Sequence, residues 1–134
     1  MKTLSQQAAS ILREMCKDIA IHASKTINNS GVYMAAHVEV IGALADGRRL
    51  ISVAHYGKQN GDMMRDPEMI FIEMISGDAI YYTPYYFRND YMGIEENSVD
   101  IEGGAIKTFK PKLQADHAKF ASQWMRNIKD QQGL

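Results

Sequence analysis

Asp46-Gly47, Asn60-Gly61 and Gly77-Asp78 divide the middle of the chain into short segments, and each pair suits a tight turn whose backbone takes positive φ. The segments they bound are Val32 to Ile41, Leu50 to Tyr56, Met69 to Ile75 and Ile80 to Phe87. All four are rich in β-branched, aromatic and methionine side chains, which suit a pleated, half-buried surface. A turn this short returns the chain beside the strand it has just left. The pattern therefore predicts an antiparallel meander and excludes βαβ units, whose crossovers need a dozen residues or more. A fifth, weaker strand is expected over Ser98 to Ile101.

Outside the meander the periodicity is helical. Leu4, Ala8, Ile11, Leu12, Met15, Ile19, Ala23 and Ile27 form one stripe of an α-helix of about six turns. Thr3 with Gln6 fits a capping box at its start, and Asn28-Asn29-Ser30-Gly31 is a stop signal at its end. Near the other terminus, Pro111 opens a segment with Leu113, His117, Phe120, Trp124 and Ile128 at helical spacing. Arg126 and Lys129 suit the negative end of that helix's dipole, and Gly133 can end it. The expected fold is α+β: an N-terminal helix, an antiparallel meander sheet of four to five strands, and a C-terminal helix packed on one face. Residues 1–134 read as a single domain, with no linker, repeat or low-complexity tract.

Charge excludes several functions. Fifteen basic and sixteen acidic residues leave a net charge of -1, without the basic stripe of a nucleic-acid binder. Apolar runs are too short to span a bilayer, and MKTLSQQAAS lacks the apolar core of a signal peptide, so a cytoplasmic protein is expected. The single cysteine, Cys16, excludes an internal disulfide and a cysteine-rich zinc site, and reads as a half-buried structural thiol.

Several chemical signatures are missing. Gly103-Gly104 is not followed by the helix and Lys-Ser or Lys-Thr of a phosphate loop, and no serine has a nucleophile-elbow context. His37-Val38-Glu39 matches half of a zinc-deaminase signature but lacks the paired cysteines, so it reads as the exposed face of a strand. His117 reads as a partly buried structural histidine and His22 as a helix-surface residue. The run from Ile80 to Phe87 holds four tyrosines, and Pro84 within it suggests an edge strand or a bulge. Rings on an edge would offer a docking surface.

The polar stretch HYGKQNGDMMRDPEM, His55 to Met69, is the best place for a site. If Asn60-Gly61 forms a two-residue turn with uniform register, Gln59 pairs with Asp62, Gly57 with Met64 and His55 with Asp66. Alternation then puts His55, Asp66 and Glu68 on the rim of a covered face defined by Ile51, Val53, Ile70 and Ile72. A histidine opposite one carboxylate and diagonal to another could act as a base; with Asp62 added, the set could hold magnesium, manganese or calcium. The same residues fit a cross-strand contact without catalytic meaning, and Asp66-Pro67 could end the hairpin early. No nucleophile or three-ligand motif accompanies them, so the structural reading is preferred and no cofactor is expected.

NGDMMRDPEM, then RNDYMGI, then FASQWMRNIKDQQG together resemble a family of uncharacterised bacterial proteins, a domain of unknown function associated with plasmids, integrative elements and phages. The resemblance runs from about Ser52 to the C-terminus. It implies a cytoplasmic accessory protein in a mobile-element context, and brings no catalytic residues. The expected function is non-enzymatic protein binding, through Asn60, Asp62, Arg65 and Asp66 of the hairpin and Tyr85, Arg88, Asn89 and Asp90 of the Tyr-rich strand. The alternative is a small metal-assisted hydrolase or nuclease using His55, Asp62, Asp66 and Glu68. A homodimer through an edge strand is also allowed, because sheet edges need covering.

Overall fold

All three expected turns form: Gly47, Asn60, Gly61 and Gly77 have φ of 92°, 53°, 86° and 59°. The computed structural model describes residues 1–134. Helix α1 (Gln6–Cys16) is followed by strands β1 (Ser24–Ile27), β2 (Ala36–Ala43), β3 (Arg49–Gln59), β4 (Asp62–Ser76), β5 (Ala79–Asn89) and β6 (Ile94–Asn97). A hairpin of β7 (Val99–Glu102) and β8 (Ala105–Phe109) leads into helix α2 (Pro111–Gln132). Strands β1 to β6 make one antiparallel meander in chain order, so the main sheet has six strands, not four or five. The weak strand expected near Ser98 exists as β7, but it pairs with β8 in a separate two-stranded sheet.

Helix α1 is half its expected length. Ser5, not Thr3, is the N-cap, its Oγ accepting from Ala8 N at 3.2 Å, and the helix stops at Cys16. The chain reverses through His22, at φ 68°, and Ser24–Ile27 becomes the edge strand beside β2. Ile19, Ala23 and Ile27 are spaced by four, an even number, so the spacing fits a strand's alternation as well as a helical stripe. Ile19 and Ile27 still reach the core, by different backbone routes.

Both helices cover one face of the sheet. Leu12, Met15, Val38, Val40, Ile51, Val53, Met69, Phe71, Tyr82, Met125 and Ile128 belong to this main core. The opposite face is covered by the β7–β8 hairpin over Leu44, Ile72, Tyr85 and Val99. At Gly104, of φ 77°, an added Cβ would lie 2.9 Å from Ala45 N, so a glycine lets that hairpin sit directly on the β2–β3 turn. On α2 the buried face includes Gln114 and Gln132, while Phe120 is exposed, so the expected stripe is rotated. Gln114 Nε2 donates to Lys2 O and Pro84 O, and Gln132 Oε1 accepts from Asn29 N. These amides fasten the N-terminus, β5 and the β1–β2 connection to α2. No helix is long and apolar enough to cross a membrane.

Candidate functional site

The β3–β4 hairpin keeps the expected register only near its tip. Gln59 pairs with Asp62, Gly57 with Met64 and Tyr56 with Arg65, but Ala54 then pairs with Glu68. One extra β4 residue at Asp66-Pro67 bulges out and shifts everything beyond it. Since each residue of shift exchanges the faces of a strand, Ile70 and Ile72 leave the helix-covered side and Met69 and Phe71 take it. Glu68 goes with Ile70, accepting from Ser52 Oγ at 2.6 Å on the hairpin side. His55 stays beneath α2, 4% exposed, its ring 5.4 Å from that of Trp124.

The base and metal arrangements are therefore corrected. His55 and Glu68 occupy opposite faces, and Asp62 is exposed beside the turn. Asp66 accepts from Asn89 Nδ2 at 3.1 Å. No group of three or more His, Cys, Asp or Glu side chains converges on a position for an ion. Burial pushes the His55 imidazole below its ordinary value, against the opposing charge of Asp66, and Nε2 has no protein partner.

What the fold does assemble is a charged brace where the base of the β3–β4 hairpin meets the end of β5. Asp90 accepts from Arg65 N at 2.8 Å and from Arg88 Nε at 2.7 Å, while Asp90 N donates to Arg65 O at 2.9 Å. The Arg65 side chain places Nη1 3.7 Å from Asp90 and Nε 3.1 Å from Glu68, the latter an ion pair without hydrogen-bond alignment. Arg88 also reaches Glu95 at 3.5 Å, and Tyr86 Oη donates to that same carboxylate. The Arg65 N–H, then Arg88, hold the Asp90 carboxyl below its ordinary range. Each guanidinium is turned towards carboxylates of its own cluster, so the brace is built to hold strands together.

Of the expected binding residues, Arg65, Asp66, Arg88, Asn89 and Asp90 gather here. Asn60 and Asp62 sit apart at the hairpin tip, and Tyr85 is buried in the second core, where burial pushes its hydroxyl up to about 12. The Tyr-rich strand is interior, between β4 and β6, with Pro84 beside a bulge. Three apolar side chains are exposed at the brace's end of the sheet: Met92 by 68%, Met63 by 56% and Tyr91 by 45%. Tyr91 Oη donates to Lys58 O at 3.3 Å, and an added Cβ on Gly57 would meet that hydroxyl at 2.3 Å. Gly57 thus seats Tyr91 against the hairpin.

Two buried polar constellations have no counterpart among the expected site residues. Glu73, 3% exposed, accepts from Arg49 Nε at 2.7 Å, Arg49 Nη2 at 2.9 Å and Tyr82 Oη at 2.7 Å. Cys16 Sγ lies 3.4 Å from Tyr82 Oη, and burial pushes its thiol up. Arg49 Nη1 also donates to Ile19 O at 2.7 Å. The signal was an acid inside the apolar run MIFIEMI, since a charge in a buried strand requires a partner. In the second, His117 Nδ1 is 2.9 Å from Ser98 Oγ and Nε2 is 3.2 Å from Glu96. That connectivity matches a nucleophile–base–acid relay, but the exposures are reversed. Ser98 is 1% exposed and its N–H donates to Tyr85 O, while the Glu96 side chain is 40% exposed. This relay fastens α2 to the β6–β7 junction and presents no open nucleophile.

The family model described as Domain of unknown function (DUF6908) matches residues 2–134, so the chain belongs to that family, α1 included. No curated protein and no solved structure matches the chain.

Proposed function

We propose that this member of the family is a non-enzymatic protein-binding module whose docking surface is the braced end of the sheet. The observation that carries this reading is the exposure of Met63, Tyr91 and Met92 beside the Arg65–Asp90–Arg88–Glu95 cluster. Apolar anchors bordered by charged groups resemble the make-up of protein interfaces. Methionine adapts its shape to a partner, and tyrosine combines apolar area with a polar tip. Holding that end rigid before contact reduces the ordering cost of association. The finer setting, an accessory protein of a plasmid, integrative element or phage acting in the cytoplasm, rests on the sequence resemblance alone.

The test compares the wild-type chain, Met63→Asp/Met92→Asp and a control, Lys119→Ala on α2, after matching their melting temperatures. A protein captured from the native cells by wild type and control but lost from the double variant supports the reading. A captured set that is the same for all three overturns it.

A further inference from the structure

At the opposite end of β4 a cleft of about 480 Å³ opens between the end of α1, the β2–β3 turn and the end of β4. Four of its eight lining residues are cations, Arg13, Lys17, Arg48 and Arg49, facing two carboxylates, Asp46 and Glu73. In a chain of net charge -1 this is a local concentration of positive charge. The two carboxylates do not cancel it. Glu73 is engaged by both Arg49 Nε and Arg49 Nη2, so that pair closes on itself. Asp46 accepts from Arg48 N and Arg48 Nε, which leaves both Arg48 Nη groups without a protein hydrogen bond. Arg13 makes one long contact, Nη1 to Glu73 at 3.4 Å. Lys17 pairs only with Glu14, one helical turn away on the surface, and such an exposed pair holds its partner weakly.

The negative pole of α1 would oppose an anion, but Arg49 donates to Cys16 O and Ile19 O and answers the exposed carbonyls. The donors left over are therefore two guanidinium edges and an ammonium around one opening. Planar guanidinium forks match tetrahedral oxyanions, and an ammonium adds a point charge. The cleft has the size of a small-molecule site, yet Ile75 is its single apolar lining residue, which suits a compact and strongly polar ligand.

We propose that this cleft binds the phosphate group of a small phosphate monoester, held by Arg13, Arg48 and Lys17. The proposal is independent of protein docking at the other end of β4.

The experiment titrates inorganic phosphate and then ribose 5-phosphate, at fixed ionic strength, into the isotope-labelled chain and follows backbone and Arg Nε resonances. The expected result is saturable shifts confined to Arg13, Lys17, Gly47 and Arg48, with ribose 5-phosphate competing for the same resonances. Arg48→Gln and Lys17→Gln, neither of which touches Glu73, should each raise Kd roughly tenfold, a loss of about 1.4 kcal/mol. Linear shifts scattered over surface cations, no shifts up to about 20 mM, or unchanged Kd in both variants would overturn the proposal. Should Arg48→Gln fail to fold, Lys17→Gln decides alone, because Lys17 is exposed and pairs only with Glu14.

Discussion

Replacing Glu73 by alanine tests whether a charge placed in the apolar run of β4 holds the first helix to the sheet. Glu73 is 3% exposed and accepts two bonds from Arg49 and one from Tyr82, with Arg13 as a fourth, longer contact. Alanine removes every acceptor at once and leaves Arg49, whose side chain is 19% exposed, without its carboxylate partner. Breaking a buried pair in this way costs about 3–5 kcal/mol, because the surviving charge is desolvated and unpaired. For a domain of this size that lowers Tm by roughly 12–20 °C. Urea unfolding followed by tryptophan fluorescence measures it, with an unchanged m-value required for comparison. Glu73→Gln retains an acceptor for Arg49 and should cost about half as much. Removing both charges, as Arg49→Met/Glu73→Leu, should cost less than Glu73→Ala, since an uncharged pair needs no solvation. A cost below about 1 kcal/mol for Glu73→Ala, or a double variant less stable than it, would refute the account. The pH dependence has a definite sign. Burial alone would raise the Glu73 carboxyl, but hydrogen bonds from Arg49 and Tyr82 and the charges of Arg49 and Arg13 outweigh it and hold the group below 4.5. Between those two values the unfolded chain takes the proton first. The stabilisation is therefore complete above pH 4.5 and lost as pH falls through the folded value, and Glu73→Gln removes it.

His55 gives a second pH signature at a higher range. Its folded pKa lies below 6.5, so stability is full above pH 6.5 and declines as the pH falls; in urea titrations from pH 7.5 to 5, His55→Leu should decline less steeply than wild type. Gly57→Ala should displace Tyr91, because the new methyl would sit 2.3 Å from its hydroxyl; the readout is increased quenching of tyrosine fluorescence, with Tyr91→Ala abolishing the difference. Ser98→Ala leaves His117 Nδ1 without its buried partner and should cost about 1–3 kcal/mol by urea unfolding.

What could be read from the residues depended on whether the deciding interaction was local. The turns at Asp46-Gly47, Asn60-Gly61 and Gly77-Asp78 need only the conformational freedom of the residues that make them, and from them the meander followed. The start and end of α2 were legible for the same reason, through Pro111 and Gly133. The length of α1 was not, because Ile19, Ala23 and Ile27 satisfy both periods, and pairing of β1 with β2 decides between them. Strands β6 and β8 are four and five residues long and carry too few alternations to register. The candidate site failed at a single residue. Asp66-Pro67 suggests an early end to the hairpin, but the chain absorbs the disturbance as a bulge and continues to Ser76. One extra residue exchanged the faces of Glu68, Ile70 and Ile72 against those of Met69 and Phe71, separating the imidazole from the second carboxylate. The correct register is nonetheless implied by another residue in the same strand. With Met69 and Phe71 facing the helices, Glu73 must face them too, so a buried acid requires a cation there. Arg49, the first residue of β3, lies close enough to supply it. A uniform β3–β4 register would have turned Glu73 to the face away from Arg49. The need of a buried Glu73 for a cationic partner thus selects the bulged register and the polar core together.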